Sequence, residues 1–398
     1  MIALNQLLYK SGTVSRYMDE NRFQEETDSS LLRYVKKDLS VLFWNLTLKC
    51  NLNCQHCYAN ASAKPDPGEL SDGQISDLIR DLKNMGLPVV IFSGGEPFLR
   101  TGFYDFIRQA KESKIRVSIS TNGTLITETV ASELKDLNVD YAGISIDGMN
   151  DIHDQFRGMK NSFNRAVMAL NHLKNNNVMT GIRFTVTGYN YKDLKKVVEL
   201  GMEIGVDRFC LYHLVPSGRG AKSIDISKKE RKKVLDYLME TTYNIHDQHI
   251  DMEVLTVDNP SDGLYLLLKV MKEDDKLAKQ IYRLLMKRGG DGSGIKAGNI
   301  DPVGNVHPNQ FWWDLNMGNV KEKRFSDIWK SSTDPVIKEI RENSSKKLSG
   351  KCGRCNFKEV CGGFRLRALR VNGDLWSEDP DCLLSEKEIK TEIPEGWI

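Results

Sequence analysis

From residue 41 to about residue 211, short apolar runs alternate with longer stretches of helical periodicity. The runs lie at 41–48, 88–92, 116–121, 141–146, 181–186 and 208–211 and are read as strands. Helical patterns occupy 71–85, 102–113, 127–137, 162–175 and 191–204. Ser71 and Gln74 stand at capping-box spacing at the start of the first of these. Strands alternating with helices predict an α/β fold whose parallel sheet is joined by right-handed crossovers. Such a sheet curls toward a partial barrel and gathers its site at the carboxyl ends of the strands.

Outside this stretch the pattern changes. Residues 1–40 are polar and mixed after an amphipathic start, Ile2-Ala-Leu-Asn-Gln-Leu-Leu, and predict an extension packed on the main domain. Residues 227–290 are charged, with Val234, Leu235, Leu238 and Met239 at helical spacing, and predict a helical connecting region over one side of the barrel. The run Lys287-Arg-Gly-Gly-Asp-Gly-Ser-Gly predicts a flexible break. The expected segments are therefore 1–40, 41–226, 227–290 and 291–398. In the last, 299–308 predicts a hairpin turning between Pro302 and Asn305.

Composition narrows the class. A chain of 398 residues with 40% apolar and 28% charged residues is ordinary for a soluble protein large enough for a barrel and a smaller domain. A net charge of +2 gives no field for nucleic acid, and no run approaches the ~20 apolar residues of a membrane span. The eight cysteines cluster, three near the start and four near the end, with Cys210 alone in an apolar strand as a core residue. Tight spacing without a secretion signal reads as metal ligation in a cytoplasmic protein, not as disulfides.

The chemistry sits at strand ends. Cys50, Cys54 and Cys57 follow the first strand as C-x3-C-x2-C. Three thiolates suit three irons of a 4Fe–4S cube with the fourth open; unrelated buried cysteines, or zinc held with His56, are the alternatives. The second strand runs into Gly94-Gly95-Glu96-Pro97, where glycines allow close backbone approach and a carboxylate can accept from an ammonium. The third and fourth end in Ser120-Thr-Asn122-Gly-Thr124 and Ser145-Ile-Asp147-Gly148, which also fit ordinary turn chemistry. Near the C-terminus, Cys352, Cys355, Cys361 and Cys382 supply four thiolates, enough for a closed 4Fe–4S cluster or for zinc. His213 and His307 are candidates to bind a substrate metal or move protons.

The triplet followed one β–α unit later by GGEP resembles the radical S-adenosylmethionine (SAM) superfamily. The resemblance implies a partial (β/α)6 radical SAM barrel with a small C-terminal SPASM/twitch-like iron–sulfur domain. It implies SAM on the open iron, with its amino group at Gly94, Gly95, Glu96 and Pro97. Asn122 would also face SAM, with Ser145 and Asp147 near the ribose. His153-Asp-Gln-Phe-Arg157-Gly is similar to the family's H-D-x-x-R-G stretch, so Arg157 would pair with a carboxylate of SAM or substrate, a helix C-terminus being the alternative partner. Arg183, with Thr185 a lesser candidate, suits the SAM carboxylate. The late cysteines resemble those of auxiliary-cluster extensions. The set for a first auxiliary cluster is missing, with Asn309-Gln310 and Arg365 in its place, so two 4Fe–4S clusters are expected in all.

The blocks Pro308-Asn-Gln-Phe-Trp-Trp-Asp, Cys361-Gly-Gly-Phe-Arg-Leu-Arg and Gly373-Asp-Leu-Trp-Ser-Glu-Asp look like the tetrapyrrole-tailoring branch of that superfamily. This implies removal of two acetate side chains from 12,18-didecarboxysiroheme toward Fe-coproporphyrin by a 5′-deoxyadenosyl radical. Propionate removal in d1-type haem synthesis, peptide maturation and a non-catalytic electron carrier are the alternatives. Phe311, Trp312 and Trp313 would stack on the macrocycle, and His213 or His307 would approach its iron. Arg365, Arg367 or Arg370 would hold its carboxylates. The expected partners are the tetrapyrrole and a low-potential donor such as ferredoxin or flavodoxin, with no nucleic acid and no membrane span, and the protein itself is expected to be a monomer.

Overall fold

The structure, a computed structural model, describes residues 1–9 and 39–397. Ten strands form one open sheet: β1 (Ile2–Ala3), β2 (Val41–Asn45), β3 (Val89–Ser93), β4 (Arg116–Thr121), β5 (Tyr141–Ser145), β6 (Thr180–Val186), β7 (Arg208–His213), β8 (Glu253–Val257), β9 (Ala297–Ile300) and β10 (Val306–His307). Their order is β1-β8-β7-β6-β5-β4-β3-β2-β9-β10. From β8 across to β9 every pairing is parallel; β1 and β10 are antiparallel edges. All six strands expected from the apolar runs are present, as β2 to β7. Parallel strands need both faces covered, and Trp44, Phe92, Ile119, Ile144, Phe184 and Phe209 are almost fully buried.

The helices begin where the sequence marks them. Ser71 accepts from the Gln74 amide and the Gln74 side chain accepts from the Ser71 amide, which closes the capping box of Asp72–Met85. Such a cap contributes about 1 kcal/mol. Ile75, Leu78, Ile79 and Leu82 then face the sheet. One helix had no signal strong enough to be separated from its motif: Asn150–Arg157, eight residues carrying the H-D-x-x-R stretch.

Two expectations are corrected. Residues 227–290 are not helical throughout: between the helices Lys228–Asp247 and Ser261–Val270 the chain forms β8, which extends the sheet beyond β7. Five residues are too few to break the helical periodicity of their charged surroundings, and β8 is held by non-local contacts. Buried Glu253 takes two hydrogen bonds from Arg208 of β7, at 3.0 and 2.6 Å. The amphipathic start also packs here. β1 pairs with β8, and Asn5 in the following helix donates to the Met252 carbonyl and accepts from the Val254 amide. Residues 10–38 of the expected extension lie outside the described residues.

The second correction concerns the glycine-rich break. Gly290 is packed so closely on the Cys361 carbonyl that an added Cβ would lie 1.6 Å from its oxygen. The chain then enters β9, which pairs in parallel with β2. The expected hairpin is present as β9–β10, so the C-terminal region is built onto the barrel sheet itself.

Candidate active site

The cysteine loop leaves the carboxyl end of β2 and is seated from several sides. Glu69 accepts from the Thr47 hydroxyl and the Leu48 amide, at 2.8 and 2.9 Å. From the end of β3, the Gly95 amide donates to the Thr47 carbonyl and the Glu96 amide to the Lys49 carbonyl. A Cβ on Gly94 would lie 2.5 Å from the Thr47 carbonyl oxygen, and one on Gly95 2.4 Å from that of Lys49. The glycines are therefore required here by backbone packing against the cysteine loop. Glu96 is fully buried and accepts from the Thr121 hydroxyl and from the amides of Asn122 and Phe98. Burial pushes its carboxyl up to about 7. Its oxygens join the ends of β3 and β4 instead of facing an ammonium, a correction to the role given to its side chain. Pro97 is buried at the start of a 3-10 turn.

A second buttress comes from the helix Asn150–Arg157. Asp147, wholly buried after β5, ion-pairs with Arg157, accepts from the Thr185 amide and donates its own amide to His153 Nδ1. Burial alone would raise the Asp147 carboxyl, but Arg157 and then His56 outweigh it and hold it below the usual carboxylate range. Arg157 Nη1 in turn lies 3.6 Å from Cys54 Sγ. The amides of Asn53 and Gln55 donate to the carbonyls of Arg157 and Phe156, and an added Cβ on Gly158 would meet the Asn53 carbonyl at 2.7 Å. Asp147 thus fixes Arg157 against the cysteine loop and does not line the cavity. His56 faces Asp147 at 3.5 Å and stacks on Phe156, so its ring does not join the three thiols.

Cys50, Cys54, Cys57, Gly94, Gly95, Asn122, Ser145, Arg157, Arg183 and Thr185 all border one cleft of about 1080 Å³. The sequence-derived set is thereby brought together, with Glu96 and Asp147 behind it. Arg183 lies over the Tyr212 ring at 4.3 Å. No carboxylate among the described residues stands within ion-pair distance of it. Arg219, which no sequence signal pointed to, borders the same cleft and holds the loop by donating to the carbonyls of Cys54 and Ala61, both at 2.9 Å. Phe43, Asp258, Gln310 and Phe311 border this cleft and also a neighbouring one of about 850 Å³. The latter shares Arg288, Lys296 and the loop between them with a third cleft that reaches Cys361.

The four late cysteines come from two short helical turns, Gly350–Gly353 and Lys358–Cys361, and two loops. Cys352 Sγ accepts from the Asp379 amide at 3.3 Å and from Arg365, and Cys355 Sγ from the Phe357 amide. Burial pushes the Cys50 thiol up to about 12 and that of Cys355 up to about 11, and neighbouring thiolates of each set push further in the same direction. Clustered thiols that resist ionisation need positive charge from a metal. No group of three or more His, Cys, Asp or Glu side chains among the described residues is placed for a single ion. Sets of three and four thiolates are the donor chemistry of iron–sulfur clusters. Cys210 is buried in β7, apart from both sets.

Other candidates are placed elsewhere. His213 Nδ1 accepts from Arg231 and its Nε2–H donates to Asp262, each at 2.7 Å, so neither nitrogen is free for a substrate metal. In His307, Nδ1 and Nε2 face the Leu315 carbonyl and Asp301. Both histidines are held by their own surroundings, which corrects the reading of either as a ligand or proton carrier. Trp312 is buried in a C-terminal core with Phe364 and Leu366, and Trp313 stacks on His307. Only Phe311 of the three aromatics reaches the cleft. Arg365 donates to the carbonyls of Leu375 and Ser377, Arg367 pairs with Asp379 and Asp381, and Arg370 with Asp314. All three already have protein partners.

A model of the radical SAM superfamily matches residues 44–201, and a model described as an iron–sulfur cluster-binding domain (SPASM) matches residues 294–356. The chain is 38% identical over 394 residues to the Fe-coproporphyrin III synthase of Methanosarcina barkeri, covering 98% of this chain and 99% of that protein. It is 34% identical to the pre-heme d1 synthase of Dinoroseobacter shibae, covering 95% and 93%. In fold it is similar to native anSMEcpe with bound AdoMet, with a TM-score of 0.67 at 20% identity over 88% of this chain and 95% of that one. Streptococcus suis SuiB gives 0.70 at 18% identity over 87% and 78%. Three thiols on one cleft at the mouth of an open parallel sheet, a second cysteine set beyond it and likeness over nearly the whole chain to the Fe-coproporphyrin III and pre-heme d1 synthases lead to one conclusion: the chain belongs to the radical SAM superfamily, in its tetrapyrrole-tailoring branch, and is an enzyme with 4Fe–4S cofactors, SAM and a C-terminal iron–sulfur domain.

Proposed function

We propose that this enzyme removes the two acetate side chains of 12,18-didecarboxysiroheme, a step toward Fe-coproporphyrin in haem biosynthesis. The observation that carries this reading is the likeness, over nearly the whole of both chains, to Fe-coproporphyrin III synthase. Cys50, Cys54 and Cys57 would hold the cluster that binds SAM, and Cys352, Cys355, Cys361 and Cys382 a second, fully ligated 4Fe–4S cluster. When bound, the first cluster and SAM supply a 5′-deoxyadenosyl radical that takes a hydrogen atom from substrate. The protein's share is position and exclusion of water. The main chain at Gly94 and Gly95 would hold the SAM amino group, Arg183 its carboxylate, and Ser145 and Thr185 its ribose. Phe311 offers a flat apolar wall to the macrocycle, and electrons come from ferredoxin or flavodoxin.

Propionate removal from the same substrate is the second reading, favoured by the likeness to pre-heme d1 synthase. Anaerobic turnover of the reconstituted protein with SAM, a low-potential reductant and 12,18-didecarboxysiroheme separates them by mass spectrometry. Loss of two acetate groups together with 5′-deoxyadenosine is the expected result. Loss of propionate mass assigns the second reading, and SAM cleavage with unchanged tetrapyrrole removes both.

A further inference from the structure

Asp258 follows β8, the strand that the sequence pattern conceals. Of the described residues that border both the SAM-side cleft and its neighbour, it is the sole carboxyl; the others are Phe43, Gln310 and Phe311. Its Oδ2 is shut off from solvent and has no hydrogen-bond partner. The nearby Asp291 differs, because its oxygens accept from Ser293 and from the Arg365 amide. The backbone at Asp258 is left-handed, with φ of +68°, a conformation uncommon outside glycine. It is held there by Arg367, which donates to the Asp258 carbonyl at 2.7 Å and is itself fixed by Asp379 and Asp381. An anchored, half-buried residue thus brings a carboxyl with one unpartnered oxygen to the wall shared by the two clefts.

We propose that Asp258 is a catalytic acid that protonates the side-chain fragment leaving the macrocycle. The proposal rests on the acetate-removal reading above. Acetate departing by homolysis of its bond to the ring leaves one hydrogen short. Once a hydrogen atom has been taken from the neighbouring ring carbon, the ring carbon–methylene bond breaks, giving a ring C=C bond and a carboxymethyl radical. One electron from a low-potential iron–sulfur or flavin carrier and the Asp258 proton reduce that radical to acetate. The bond formed is a methyl C–H, the bond broken is the Asp258 O–H, and the carboxylate regains its proton from water.

A donor must hold its proton at working pH. Burial pushes the Asp258 carboxyl up to about 7, against the chain's amino terminus, Arg367 and Arg183, and with help from Asp291. The protonated form is the active one, so acetate release declines as pH rises through about 7.

The test is turnover in deuterium oxide, with the acetate analysed by mass spectrometry. Acetate from the wild-type protein carries one solvent-derived deuterium in its methyl group; acetate without deuterium overturns the proposal. Asp258→Asn and Asp258→Gly both suit a positive φ. Each lowers tetrapyrrole product per 5′-deoxyadenosine by about a hundredfold, in the range of a lost general acid, and abolishes the limb near neutral pH. Variants with the wild-type product ratio and pH profile overturn the proposal and leave the acetate reading intact. A wild-type protein that cleaves SAM but returns the tetrapyrrole unchanged overturns that reading, and the proposal with it. If neither variant folds with its iron, acetate free of deuterium still overturns the proposal.

Discussion

A guanidinium stacked on an aromatic ring and facing a cleft without a carboxylate partner is poised for an anionic ligand. Arg183 is in that position, over Tyr212. A charge-assisted hydrogen bond is worth about 1.5–3 kcal/mol, so Arg183→Gln is expected to raise the SAM dissociation constant roughly 10- to 100-fold, measured by calorimetry on the reconstituted protein. Lysine at this position should recover only part of the loss, because an ammonium offers no planar fork. Glu96, Asp147, His213 and His307 teach the opposite lesson at the same scale. Their types and places at strand ends were legible in the sequence. Their hydrogen-bond partners were not, because those partners come from elements far along the chain, such as Asp262 for His213.

Between elements, the decisive contacts are made by backbone. The ends of β2 and β3 approach so closely that Gly94 and Gly95 leave no room for a Cβ. Gly95→Ala is expected to displace the cysteine loop while leaving the C-terminal set untouched. Iron content should fall from about eight to about four per chain, as expected for one of two four-iron clusters, and the SAM-responsive part of the low-temperature EPR signal should vanish. Retention of full iron in that variant would falsify the packing role assigned to Gly95. The expectation that glycines allow close approach holds; what approaches is the protein's own cysteine loop.

At the scale of the whole molecule, a buried charge network joins the C-terminal region to the barrel. Arg367 pairs with Asp379 and Asp381 and donates to the carbonyl of Asp258, while Arg231 pairs with Asp225 and Asp381 and donates to His213. Removing one partner of a buried pair leaves an uncompensated charge and costs about 3–5 kcal/mol. Arg367→Leu is therefore expected to lower the unfolding free energy by that amount, measured by denaturant unfolding as a downward shift of the midpoint. Arg370→Leu, which removes an exposed pair with Asp314, should change stability by less than about 1 kcal/mol.

The sequence alone determined the alternating strands and helices, the capping box at Ser71, both cysteine sets and the strand-end positions that converge on one cleft. These features are local: periodicity and spacing are written into consecutive residues, and a parallel α/β sheet places strand ends together whatever the detail. Only the tertiary structure decided that β8 and β1 extend the sheet, that β9 joins the C-terminal region to β2, and that Glu96 and Asp147 brace the site from behind. It also decided that Asp258 borders the cleft with one carboxyl oxygen, Oδ2, left without a hydrogen-bond partner. Each of these depends on pairings between residues distant in sequence, whose partners are chosen by packing and burial after the chain has closed.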